Sequence, residues 1–108
     1  MRPLPRPTRV YPLENVRTLI ELDQCRATKR AISDAHRHGF SETDIYEIVL
    51  SLSVRDFVHS VSENGSNKIW QDVYKIVRND VHLFIKFKIV SIGEEELLVL
   101  SFHDDTDD

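Results

Sequence analysis

Across residues 81–89 the chain alternates with a period of two. Val81, Leu83, Ile85, Phe87 and Ile89 fall on one side, and His82, Phe84, Lys86 and Lys88 on the other. Such alternation marks a strand with one buried face. A strand of that kind needs antiparallel neighbours and a second layer over its apolar side. The flanking sequence supplies the neighbours. Residues 69–77 are rich in aromatic and β-branched side chains, follow a turn-like run at 63–67 and read as a strand. Its parity sets Trp70, Asp72, Tyr74 and Ile76 against Ile69, Gln71, Val73 and Lys75. Residues 97–102 read as a third strand, with Leu98, Leu100 and Phe102 on one face and Leu97, Val99, Ser101 and His103 on the other. Asn79-Asp80 and the run Ile92-Gly93-Glu94-Glu95 make the turns, so the C-terminal half is expected to be a three-stranded meander.

The N-terminal half supplies the covering layer. Pro12-Leu13-Glu14-Asn15 opens a helix with Leu13, Val16, Ile20 and Leu22 at helical spacing. Thr28 caps a second helix whose apolar side is Ala31, Ile32 and Ala35, ending at His38-Gly39. Ser41 to Asp44 has the form of a capping box, and the helix it starts carries Ile45, Ile48, Val49 and Leu52. Ser53-Val54-Arg55-Asp56 repeats that pattern and predicts a further short helix with Phe57, Val58 and Val61, which would bring Arg55 and His59 onto one face. The expected fold class is α+β, with N-terminal helices packed on a C-terminal antiparallel sheet.

With 108 residues the chain is read as one domain. Residues 1–8, with three prolines, and 104–108, with four aspartates, are read as mobile tails. Arg2, Arg6 and Arg9 either help hold a phosphate backbone or are simply solvated. No apolar run approaches the roughly 18 residues of a membrane span, and the N-terminus lacks the apolar core of a signal peptide. One cysteine, Cys25, suits a reducing cytoplasm and reads as a small filler. The net charge of −4 speaks against a polyanionic partner until the C-terminal aspartates are set aside; the rest holds 14 basic and 14 acidic residues, leaving room for a local basic patch.

Gly-rich phosphate loops, Cys-x-x-Cys, His-Glu-x-x-His and Gly-x-Ser-x-Gly are all missing from the sequence. The i, i+2 spacing of His36 and His38 does not suit a metal pair on a helix. No metal or cofactor is therefore expected. The polar side of the second strand is more telling. His82, Phe84, Lys86 and Lys88 place an aromatic ring among cations, which suits single-stranded nucleic acid, although an ordinary solvated face carries similar residues. Lys75, Gln71 and His103 could line the same surface. Histidines beside lysines and an amide suit metal-free RNA cleavage by the substrate's own 2′-OH, since histidine, with an ordinary pKa of about 6.5, exchanges protons near neutrality.

Three segments carry a family resemblance: Ile69-Trp70-Gln71-Asp72-Val73-Tyr74-Lys75, Leu52-Ser53-Val54-Arg55-Asp56-Phe57 and Leu100-Ser101-Phe102. In these the chain resembles the motility quorum-sensing regulator (MqsR) toxins of bacterial type II toxin–antitoxin systems. The resemblance runs from about Arg9 to His103. It implies a RelE-like fold and a ribosome-independent mRNA interferase cutting at GCU-like sites. The implied partners are mRNA and a cognate antitoxin with a zinc-binding domain and a helix-turn-helix domain; operator DNA is met only through that antitoxin. The family's active-site glutamine falls on Gln71. Its lysine in the short helix falls on His59, its strand tyrosine on Phe84 and its C-terminal lysine on His103; Lys86 matches a family lysine. His82 could replace the lost tyrosine hydroxyl. The expected catalytic set is thus His59, Gln71, Lys86 and His103, with Phe84, His82, Lys75, Lys88 and Arg55 contacting RNA. The rival expectations are a catalytically weakened module that binds RNA or antitoxin, and a regulator acting only through the antitoxin.

Overall fold

The computed structural model describes residues 3–106, so Arg2, Asp107 and Asp108 lie outside the described residues. The chain order is α1 (Leu13–Glu21), β1 (Cys25–Ala27), α2 (Lys29–Arg37), α3 (Glu42–Leu50), a 3₁₀ turn (Val54–Asp56), β2 (Phe57–Ser62), β3 (Trp70–Arg78), β4 (Val81–Ile92) and β5 (Glu94–Asp104). The five strands form one sheet in the order β1-β5-β4-β3-β2. β1 runs parallel to β5, and the other pairs are antiparallel. No helix among the described residues is long and apolar enough to cross a membrane.

Local chemistry accounts for most element ends. The Thr28 hydroxyl accepts the Ala31 N–H at 3.1 Å. Ser41 and Asp44 exchange both bonds of a capping box, at 2.8 and 3.1 Å. Gly39, at φ 85°, turns the chain out of α2, and Phe40 then packs edge-on against Phe102, ring centres 5.6 Å apart. Asn79 and Asp80 both have positive φ, as a tight two-residue hairpin requires. The helices lay Leu13, Val16, Leu19, Ala31, Ala35, Ile45, Ile48 and Val49 on one face of the sheet, against Tyr74, Leu83, Ile85, Phe87, Leu97, Val99 and Phe102. Cys25 packs against this core with its thiol pKa pushed up, chiefly by burial, which keeps it protonated.

Several expectations are corrected. The Ser53–Asp56 box is formed, but it caps only a three-residue 3₁₀ turn. Residues 57–62 continue as β2, which pairs with β3. A capping box marks where a helix begins and carries no information on its length; here pairing to β3 decides the outcome. Arg55 and His59 therefore do not share a helix face. The sheet has five strands, the short parallel β1 and β2 adding to the meander. The turn expected at Ile92–Glu95 shrinks to Gly93, since Ile92 and Glu94 already pair. The parity expected for β5 also fails beyond Val99. Phe87 pairs with Val99 but Lys86 with Ser101, so Leu100 is the extra residue of a β-bulge. Leu97, Val99 and Phe102 face the helices, and Ser101 and His103 turn to the other side.

The N-terminal segment is extended, as expected, yet it is not free of the sheet. Arg6 and Ser60 exchange two backbone hydrogen bonds at 2.7 and 2.9 Å, and the Arg6 guanidinium lies 5.1 Å from the centre of the Trp70 ring. The fully buried Asp72 accepts the Val10 N–H at 3.1 Å and the Tyr11 N–H at 2.9 Å. Asp72→Asn leaves these donors facing an amide that can accept with one oxygen only. We expect it to destabilise the fold by about 2–3 kcal/mol, measured as a lower urea midpoint followed by the fluorescence of Trp70, the single tryptophan.

Candidate active site

The face of the sheet away from the helices carries the polar side chains. The register sets them in rows. His59 of β2 opposes Val73 of β3, which opposes Lys86 of β4, which opposes Ser101 of β5. In the adjacent row Lys75 opposes Phe84, and Phe84 opposes His103. On the other side of the first row, Val61 opposes Gln71, and Lys88 opposes Leu98. His82 lies at the exposed margin, opposite Val77.

Two β-bulges make this face. The β2–β3 register shifts between Phe57 and His59, leaving Val58 extra. Phe57 then turns to the core, its ring 5.4 Å from that of Tyr74, while His59 turns outward. On β5 the bulge at Leu100 does the same for Phe102 and His103. Each bulge re-aims a histidine that a regular strand would have buried or turned away.

Between the walls lies a cleft of about 540 Å³, lined by His59, Glu63, Gln71, Phe84 and Lys86, and closed on one side by Pro3 and Pro5. A second hollow of about 400 Å³ adjoins it, lined by His103, Ser101 and, from α2, Arg30 and Asp34. Gln71 and Lys86 line both and form the ridge between them. His59 and His103 thus share one face on opposite sides of that ridge, three strand spacings apart and one row offset, roughly 16 Å at the backbone. Arg55 sits in the exposed 3₁₀ turn and lines neither hollow.

The individual environments differ. His103 stacks on Phe84 with ring centres 4.9 Å apart and planes 12° apart. Its Nδ1 lies 2.8 Å from the carbonyl oxygen of Asp104. A carbonyl only accepts, so Nδ1 carries the hydrogen and Nε2 keeps its lone pair when the ring is neutral. The His59 ring makes no hydrogen bond or ion pair among the described residues. Burial pushes the Lys86 ammonium below the ordinary lysine range, and nearby Glu63 partly opposes that shift. Lys75 pairs with Asp105 at 3.2 Å, and the Asp105 N–H bonds the His82 carbonyl at 2.6 Å, so the start of the acidic C-terminal run lies on this face. Lys88 is engaged by Glu63 at 2.7 Å. Among the described residues no three His, Cys, Asp or Glu side chains gather as a metal cluster.

Sequence reasoning missed Glu63, Arg30, Asp34 and the proline wall. Glu63 read as part of a wet turn. Recognising residues 57–62 as a strand would have carried the outward parity of His59 and Val61 on to it.

The face, with an aromatic–histidine stack, a half-buried lysine on a ridge and two flanking hollows, suits an extended anionic ligand with planar bases. Comparisons with known proteins agree with that chemistry. The family model described as motility quorum-sensing regulator, toxin of MqsA, matches residues 8–104. The chain is also similar to the mRNA interferase toxin MqsR of Escherichia coli strain K12, at 27% identity over 90 residues, covering 83% of this chain and 88% of that protein.

Lys86 gives a direct test of the site's electrostatics. Below its lowered pKa the folded state carries the full cost of a half-buried charge. From there up to the ordinary value of about 10.4 the unfolded chain binds more protons, so the stability linked to Lys86 rises with pH and then levels off. Lys86→Met is expected to unfold at a higher urea concentration than the parent at pH 7, with a gap that narrows at alkaline pH.

Proposed function

The chain belongs to the MqsR family of toxins, and from that premise we propose that it is an endoribonuclease, an mRNA interferase that cuts single-stranded mRNA at short GCU-like sites without the ribosome or a metal ion. The observation that carries this reading is the gathering of His59, Gln71, Phe84, Lys86 and His103 on one open sheet face.

RNA crosses the strands, with the scissile phosphate over the Gln71–Lys86 ridge and a nucleotide in each hollow. His103, its Nδ1–H fixed on a carbonyl, takes the 2′-OH proton through Nε2. The 2′ oxygen attacks phosphorus and the P–O5′ bond breaks. His59 gives a proton to the departing 5′ oxygen, leaving a 2′,3′-cyclic phosphate and a 5′-hydroxyl. Lys86 stabilises the charge on the phosphoryl oxygens. Gln71 orients the scissile linkage by holding the nucleotide beside it, and Phe84 stacks a base. His82, Lys75, Lys88 and, from its turn, Arg55 serve the backbone. The fold is read as RelE-like. The partner is read as a cytoplasmic zinc-binding helix-turn-helix antitoxin, which brings the toxin to operator DNA.

A second reading, a weakened module that holds RNA or antitoxin with little cleavage, draws support from the engagement of Lys75 and Lys88 by carboxylates. One experiment separates the two. Induced alone in bacteria, the parent chain should arrest growth and generate new transcript 5′ ends. His59→Ala/His103→Ala should lower cleavage by on the order of 10²–10⁴-fold, the usual worth of acid–base catalysis. Normal growth with a folded parent protein favours the module, and unchanged cleavage by the double variant sinks the assignment of the histidines.

A further inference from the structure

The cleft on the His59 side mixes apolar side chains with polar ones, Lys86, Ser62 and Asn64 among them, and one polar contact sets the hydrogen-bonding sense of Gln71. Glu63 Oε1 accepts from Gln71 Nε2 at 2.7 Å and from Lys88 Nζ at 2.7 Å. Both side chains of the ion pair are largely sheltered, with exposures of 15% for Lys88 and 22% for Glu63. The bonds from Lys88 and then Gln71 hold the Glu63 carboxyl below the usual range, so it stays ionised and can only accept. An ionised carboxylate admits one orientation of the neighbouring amide. The Gln71 nitrogen must face Glu63, and the carbonyl oxygen is turned the other way. Gln71 also lines the cleft, beside Phe84, Val61 and Val73. A free glutamine flips and reads donors or acceptors equally; this one has one amino hydrogen committed to Glu63 and its carbonyl oxygen held on the far side.

We infer that Glu63 is a positioning residue that locks Gln71 as an acceptor in the cleft, so that the site selects a nucleobase offering an exocyclic amino group there over one offering a carbonyl. This rests on reading the face as the RNA site and adds to it a rule for base choice. The cleft suits a base more than a phosphate. Phe84 gives it a stacking surface, and Pro3 and Pro5 wall it. Cytosine against uracil is the direct contrast, because the N4 amino donor of one occupies the place of the O4 acceptor of the other. Lys88 neutralises Glu63 and lets the carboxylate persist beside a polyanion.

The test uses the full-length protein and oligoribonucleotides carrying a cleavage site mapped for the parent chain. At each position around the cut, an amino-bearing base is exchanged for its carbonyl counterpart. The parent should lose about tenfold or more in kcat/KM at one such position, the scale of one good base contact. Glu63→Ala and Glu63→Gln, which free or unlock the amide, should shrink that ratio to about twofold while still cutting the preferred RNA. Gln71→Ala combined with Glu63→Ala should show no further loss of discrimination beyond Gln71→Ala alone. Circular dichroism establishes that each variant is folded. The inference is overturned if both Glu63 variants discriminate as the parent does, or if the parent favours the carbonyl base at every position. A Gln71→Ala protein that cuts with parental rate and preference would instead overturn the reading of the site itself.

Discussion

Everything functional in this molecule depends on one constraint: a strand has two faces, and only one of them is covered. Three helices take the apolar face. What remains is an uncovered surface whose composition is decided residue by residue through parity. Parity would fail at two places if the strands were regular. Phe57 and His59 are two apart and belong on the same face, yet one packs on Tyr74 and the other reaches the cleft. Val99 and Phe102 are three apart and belong on opposite faces, yet both are buried. The extra residues Val58 and Leu100 resolve both conflicts and in doing so present the two histidines of the site. Core packing and the geometry of the candidate site are thus set by the same two irregularities.

A second link between fold and site runs through Asp72. It lies on the core side of β3, one residue from Gln71. Its carboxylate gathers the N–H groups of Val10 and Tyr11, and the Tyr11 hydroxyl bonds the Trp70 carbonyl at 2.7 Å. These contacts hold the N-terminal segment against β2 and β3, and the same segment supplies the prolines that wall the cleft. The buried face of one strand thereby shapes the exposed face of its neighbour.

The fold was legible in the sequence where a signal is local. Thr28, Ser41 and Gly39 act within one turn of themselves, and β4 keeps an unbroken period of two. β2 was not legible, because the capping box before it points to a helix and only pairing with β3 decides otherwise. β1 is three residues long, too short for any period. The bulges answer to packing on both neighbouring layers, which no single strand records. Of the candidate site, Gln71, Phe84 and Lys86 followed from parity, and His59 and His103 from the chemistry of histidine beside lysines, to which the family resemblance added matching positions; the wrong element was assumed for His59 and the wrong register for His103. Glu63 stayed hidden, because its partners lie 8 and 25 residues away and meet it only once β2, β3 and β4 are side by side.

The narrow bridge between Arg6 and Ser60 has a consequence for how the sheet ends. Arg6 spends its own N–H and carbonyl inward, on Ser60. The residues on either side of it are Pro5 and Pro7, which have no N–H to offer outward. A strand from another copy approaching this border would find carbonyls without donors and could not extend the ladder. This margin is therefore a poor template for edge-to-edge stacking, and a chain with a broad, uncovered polar sheet face is guarded against aggregation at one of the borders where sheets usually fuse.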